Sequence, residues 1–502
     1  MDLGGASGTP QAVGLVLVLS LIVIYLATSS SRAEKLLRKL PSPPFKLPVI
    51  GHLHLVGSLP HVSLRDLARK HGPDVMLLRL GVIPTLLVSS PRAAKAVLRT
   101  YDHLLASRPH SPVGDILFNG STNVSFAPYG DYWRQTRKIV TTHLLSANKV
   151  LSNRAARETE VRLVLARLTA AAAASLPVDV SELLGNFAND VVCQAVLGRL
   201  PREAGRNKMF RELLQVDSKL LGGFILTDFF PSLARLDMVV SRKAANQKKI
   251  WDDLLEDLID RHQSETVKDE EDFIDVLLRV QQEYGLTKDD IKAILMEMFE
   301  AGTHPTYISL DYAMAELMRN PRVMTKLQAE VRGCATKRRE MMVTEEDLES
   351  MSYLKAVMKE TMRLHGALLI PHLSVADCDL EGYTIPSGTR VIVNAWALGR
   401  DPTSWENAEE FLPERFMEHA MDAACDLQGN DFRFLPFGSG RRICPGINFA
   451  AVTFETILAN LLYHFNWELP EGSPGVDMTE EYGIDVERKV KLLLIPRAAQ
   501  DL

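Results

Sequence analysis

Hydrophobic and polar positions divide the chain unevenly. Between Leu3 and Ser31 there is no charged side chain, and 12–28 is almost continuously apolar. As a helix, about 17–20 such residues rise roughly 26–30 Å, enough for a bilayer core. Basic residues are missing before this run and follow it at Arg32, Lys35, Arg38 and Lys39. That order predicts a retained anchor over 1–31, not a cleaved signal, with all that follows on the cytosolic side. Four prolines from Pro41 to Pro48 exclude helix. They predict a stiff, extended spacer over 40–48, inside a basic, proline-rich hinge at 32–52 that holds the body near the membrane.

From about residue 60 to 330 the apolar spacing is mostly helical, interrupted by β-like runs at 74–80 and 85–88. The most informative stretch starts at Thr287, whose T-x-x-D pattern with Asp290 is a helix-start signal, and stops at Asn320-Pro321. About 32 residues give a rod near 48 Å long, enough to cross a whole domain and line its centre. No internal repeat and no second linker appears, so 53–502 reads as one large domain, mainly α with a small β portion.

Composition narrows the class. The 502 residues carry 57 Lys+Arg against 63 Asp+Glu, with 46% hydrophobic and 24% charged residues. That balance excludes a disordered chain, a collagen-like fibre and a polytopic membrane protein. A net charge of −6 argues against a nucleic-acid binder, which concentrates basic charge. The five cysteines (Cys193, Cys334, Cys378, Cys425, Cys444) form no C-x-x-C pair. They read as reduced thiols, and zinc is not expected.

One cysteine differs in its surroundings. Cys444 lies in the segment Phe437-Gly-Ser-Gly-Arg-Arg-Ile-Cys-Pro-Gly446, ahead of a helix-like run over 447–462. Amides near a helix start and neighbouring guanidinium groups favour thiolate over thiol. Phe437, Gly440, Arg442, Cys444 and Gly446 fit F-x-x-G-x-R-x-C-x-G, and the chain here resembles the cytochrome P450 family, whose haem-thiolate signature this is. Further segments follow that family's pattern: Glu360 with Arg363 as E-x-x-R, Arg415 in Pro-Glu-Arg-Phe, and Trp133 with Arg137 as W-x-x-x-R. Together with PSPPFKLPVIGH and NAWALGRDP, these resemble plant microsomal members, especially those that hydroxylate indole-derived and other specialised metabolites.

The resemblance implies a P450 fold holding haem b, with Cys444 as the axial iron ligand whose sulfur pushes electron density toward O–O cleavage. It implies that Trp133, Arg137, His372 and Arg442 hold the propionates, and that Phe437 and Gly438 flank the porphyrin. Glu360, Arg363 and Arg415 would form a structural brace. The expected reaction inserts one oxygen atom from O2 into a small lipophilic metabolite. Electrons would come from NADPH through a separate NADPH-cytochrome P450 reductase, and the chain would be anchored in endoplasmic reticulum lipid. The pocket is expected from 108–124, 296–304, 367–373 and 482–484.

Two positions depart from the family. Where the central helix usually carries an acid followed by an alcohol, this chain has His304 and Pro305. Proline removes an amide and disfavours straight helix. Thr306 is the nearer replacement for the lost hydroxyl, and His304, with Glu300 four residues earlier on the same face, is a candidate proton relay. An oxygen-independent isomerase or dehydratase, or a weakly active paralogue, stands as the alternative. The second departure is His372, where relatives carry Arg; it retains one N–H for a propionate but no permanent charge. On this reading, Pro305→Thr combined with His304→Asp is expected to raise product formed per NADPH consumed.

Overall fold

The computed structural model describes residues 31–198, 206–222, 225–264, 271–335, 342–366 and 369–499; the predicted anchor at 1–31 lies outside these apart from Ser31. Among the described residues, no helix is long and apolar enough to cross a membrane.

Helices α1 (Asp131–Ile139), α2 (Val180–Leu197), α3 (Arg206–Gly222), α4 (Met238–Ser264), α5 (Lys288–Arg319), α6 (Ser352–His365) and α7 (Ile447–His464) build the body around the site. The rod α5 has the bounds its spacing implied. Thr287 and Asp290 each bond the other's backbone N–H, satisfying two donors that a helix start leaves open. Ile291, Ile294, Leu295, Phe299, Leu310 and Met314 are buried on several sides, so α5 runs through the main core. It continues as helix through Pro305 without a break.

The small β portion is a sheet of β1 (Val75–Leu80), β2 (Ile83–Val88), β3 (Leu369–Leu373) and β4 (Arg390–Asn394), in the order β1-β2-β4-β3. Strand β2 runs parallel to β4, and the other pairs are antiparallel. Val75 and Leu77 enter one apolar cluster, while Met76, Leu78 and Leu80 enter another. Burial of both faces explains why β1 is nearly continuously apolar and not alternating.

The stretch 41–48 is free of helix, as its prolines imply, and what the sequence did not indicate is where it docks. Residues Arg32–Leu37 are helical, and Leu37 and Leu40 are buried against the sheet side. Leu77 N–H donates to the Pro41 carbonyl at 2.8 Å, and Gly51 bridges to Leu80. The prolines do exclude helix, but the backbone they stiffen docks along β1 because strand edges supply the missing hydrogen-bond partners.

Below α6 sits the brace. Glu360 accepts from Arg363 at 2.7 and 2.9 Å, from Arg415 Nε at 3.1 Å and from the Leu412 amide at 2.7 Å. Arg363 spends its remaining N–H groups on the carbonyls of Gly399, Ala408 and Glu410. All five of its donors are thus used, which is the condition under which a buried pair survives desolvation. Trp405 lies 5.3 Å from the same guanidinium.

A hairpin of β5 (Glu480–Tyr482) and β6 (Val486–Arg488) reaches back to α5. Its base is clamped by Arg488, which donates to Asp311 at 2.8 and 3.0 Å in a fully buried pair shared with Ser181. Its tip presses on the end of α3: a Cβ on Gly222 would lie 1.9 Å from Ile484 N, so only glycine permits the approach.

Arg363→Ala leaves the Glu360 carboxylate buried beside one remaining cation. We expect a loss of about 3–5 kcal/mol, measured by chemical unfolding. Arg32→Ala, which removes an exposed pair with Asp377, should change nothing measurable.

Candidate active site

The segment 437–446 is shaped by its backbone. Gly440 has φ +70°, and a Cβ there would meet the Leu98 carbonyl at 2.1 Å. Only glycine lets this turn close so tightly. The Cys444 amide donates to the Phe437 carbonyl at 2.9 Å, and the Gly446 amide points at Sγ from 3.3 Å. Helix α7 then leaves from Ile447.

Above Sγ lies a cavity of about 430 Å³ walled by Pro436, Phe437 and Gly438 on one side and by Ala301, Pro305 and Thr306 of α5 on the other. Arg108, Arg137 and Arg442 stand at its edge. A second cavity of about 460 Å³ shares the walls Arg108, Glu297, Ala301, Pro305, Leu369 and Ile484, and extends to Glu300, His304 and Ser218. The expected pocket segments therefore converge, with 367–368 outside the described residues.

Burial pushes the Cys444 thiol up; the Gly446 amide and the Arg137 charge oppose this without cancelling it. The amide and the guanidinium group thus act in the expected direction, toward thiolate, but burial outweighs them. A thiol so enclosed is deprotonated by a coordinated cation. A lone sulfur ligand on one face of an apolar slot, with three guanidinium groups at the rim, is the donor set that a dianionic iron porphyrin requires. The residues fit haem.

The predicted propionate ligands differ among themselves. Arg137 reaches the cavity and has no hydrogen-bond acceptor for its guanidinium among the described residues, which leaves its full donor set for an anion. Arg442 donates to the carbonyls of Ala106, Val124 and Ala127, which leaves two of its five N–H groups. Trp133 has only one N–H, and it goes to the Val124 carbonyl at 3.0 Å. Its ring instead carries the Arg442 guanidinium at 4.4 Å. Trp133 is thus a platform for a ligand and not itself a donor.

His372 is also corrected. Its Nδ1 donates to the Leu105 carbonyl at 2.9 Å, and the fully buried Nε2 has no partner. Burial, then the charges of Arg108 and Arg442, push its pKa down to about 3. A neutral ring whose single N–H is spent cannot donate to a propionate. The cation on this side is Arg108, which donates to the carbonyls of Ser125 (3.0 Å) and Pro371. Sequence reasoning included Arg108 only as the end of a lining segment. Its signal was that of an isolated cation between Leu104 and Gly114.

On α5 the side chains sort by face. Thr306 is buried, lines the sulfur-side cavity and donates to the Gly302 carbonyl at 2.8 Å. Thr303 is buried and lines neither cavity. His304 turns away: Nδ1 lies 3.0 Å from Asp485 and Nε2 lies 3.9 Å from Glu487 on the hairpin. The expected Glu300–His304 pair is absent, because Glu300 pairs with Asp217 of α3. Hence His304→Asp would put a third carboxylate beside Asp485 and Glu487, and the single change Pro305→Thr is the cleaner variant.

The cytochrome P450 family model matches residues 41–493. Indole-2-monooxygenase of Zea mays is 53% identical, over 96% of this chain and 94% of its own. From the same plant, 3-hydroxyindolin-2-one monooxygenase is 52% identical over 96% and 94%, and indolin-2-one monooxygenase 50% over 99% and 98%. A zebrafish cytochrome P450 solved with abiraterone has a TM-score of 0.74 at 24% identity, covering 88% of this chain and 100% of that one, a likeness of fold.

Burial lowers the His304 pKa, but the hydrogen bond and charge of Asp485, with Glu487, outweigh it and leave it raised. A raised folded-state value means the tether is fully present below the ordinary value of about 6.5 and is lost as pH rises through the raised value. The Tm gap between wild type and His304→Gln should therefore be widest in acid and close in alkali. A gap independent of pH would remove the charged pair.

Proposed function

This chain belongs to the cytochrome P450 family and is a monooxygenase, and we propose that its substrate is a small, neutral, indole-type plant metabolite. The single observation that carries this reading is the mostly apolar cavity lined by Cys444 and Thr306, next to a second chamber that shares several of its walls. The three maize relatives at 50–53% identity, with indole or indolinone in their names, support the same substrate class.

Bound haem supplies the redox chemistry: one atom of O2 enters the substrate and the other leaves as water, at the expense of NADPH and a proton. The chain's own contribution is placement and proton handling. Cys444 would hold the iron through Sγ, and the Gly446 amide would temper the sulfur's charge. Arg137, Arg108 and the spare N–H groups of Arg442, which line the same cavity, would hold the propionates. Thr306 keeps its proton on the Gly302 carbonyl, so its oxygen lone pairs accept from a water in the cavity and orient it. That role, one position beyond the usual alcohol, is why oxygen-dependent chemistry is preferred over isomerisation.

Electrons are proposed to arrive from NADPH-cytochrome P450 reductase. The proposed location is the endoplasmic reticulum, with the apolar 12–28 run as anchor. Exposed Phe45, Val49, Val82, Met238 and Val239 support a membrane-facing side. Their segments adjoin, since Gly51 bridges to Leu80 and Val82 N–H donates to the Phe229 carbonyl.

Incubation of the holoenzyme with reductase, NADPH, labelled O2 and an indole panel should yield a product with one labelled oxygen. Product without NADPH would favour the isomerase alternative. Thr306→Val should divert NADPH to peroxide and lower product per NADPH by about 10²-fold, within the usual range for a lost proton-transfer group.

A further inference from the structure

Behind Glu300, which lines the second chamber, lies a buried carboxyl group that none of the chemistry above uses. Asp217, on α3, is completely buried, and its Oδ2 accepts from Trp251 Nε1 of α4 at 2.7 Å. Its carboxyl also bonds that of Glu300 on α5. Two buried oxygens, Asp217 Oδ1 and Glu300 Oε1, have no donor among the described residues. One proton held between the groups supplies the donor that both lack.

The electrostatics agree with that count. Burial, then the neighbouring Asp217, raises Glu300 well above the carboxylate range, and burial pushes Asp217 up to about 6. The other charges bearing on Glu300, Glu297 and Asp485, are also carboxylates. Adjacent carboxyl groups in a low-dielectric wall cannot both ionise, so they titrate as a unit and carry one negative charge between them.

Glu300 lines the second chamber, and the next residue, Ala301, lines both. A ligand held at Glu300 is thus one helical residue away from the face that looks toward the sulfur. A carboxyl pair of this kind offers an acceptor to a neutral N–H donor. We propose that the Asp217–Glu300 carboxyl pair is the specificity-determining element of this pocket, accepting the ring N–H of a neutral heteroaromatic substrate and so choosing which carbon is presented to the reaction centre. This deepens, and rests on, the indole-type reading above.

The test uses the full-length holoenzyme and optical binding titrations with indole and 1-methylindole, in which N–CH3 replaces the N–H donor. Wild type should bind indole about tenfold more tightly, and Glu300→Gln, still able to accept, should keep the preference. Glu300→Leu should bring the ratio to about one with haem content unchanged. Equal affinities in wild type, or an undiminished ratio in Glu300→Leu, would overturn the proposal and leave the indole-type reading standing. Failure of both ligands to bind would remove the two together. Independently of any ligand, infrared spectra should show the carbonyl stretch of a protonated carboxyl in wild type that disappears in Glu300→Gln. Its absence in wild type would overturn the shared proton.

Discussion

Everything in this molecule is arranged around one sulfur atom that must sit in the interior and still bind metal. Burial drives Cys444 toward the neutral thiol, against the Gly446 amide and the Arg137 charge. What the protein supplies is position. The Phe437 carbonyl fixes the Cys444 amide, the Gly446 amide aims at Sγ, and Gly440 lets the loop press against Leu98. These are backbone constraints, which is why the segment tolerates so few residue types. The same rigidity demands a foundation. The Glu360–Arg363–Arg415 cluster gives one, with every guanidinium proton of Arg363 accounted for at the base of α6.

Across the cavity, α5 has the opposite task. It must stay helical yet offer a hydroxyl to the reaction centre, and Pro305 occupies the position where relatives keep that hydroxyl. The helix absorbs the proline, and Thr306 presents its oxygen to the sulfur side while His304 leaves for the hairpin. The substitution has therefore redistributed tasks along one turn: a residue expected to carry protons now ties down a loop.

What was legible in the sequence followed from local rules. The bounds of α5 were readable because a capping pattern and an Asn-Pro stop are written into adjacent residues. The Cys444 loop was readable because its glycines and its cysteine recur at fixed spacing. The failures share one cause, side-chain contacts made by packing between different elements, whether distant in the chain or, for Trp133, nine residues apart. No spacing rule connects Glu300 to Asp217 on another helix, Trp133 to the Val124 carbonyl, or His372 to the Leu105 carbonyl. Each of those backbone acceptors is created by tertiary packing, and each takes a proton that sequence reasoning had reserved for the cofactor. For the proline-rich stretch the lack of helix was evident, but the sheet edge that captures it was not.

The hairpin of β5 and β6 is fixed at its root by the enclosed Arg488–Asp311 pair, whereas its tip, Gly483 to Asp485, meets the chamber through Ile484 and Asp485. A loop with an immovable base and a replaceable tip separates folding from selectivity. Descendants of such a gene can exchange the tip residues and explore new substrates without endangering the scaffold, so divergence among paralogues should concentrate there and spare the root.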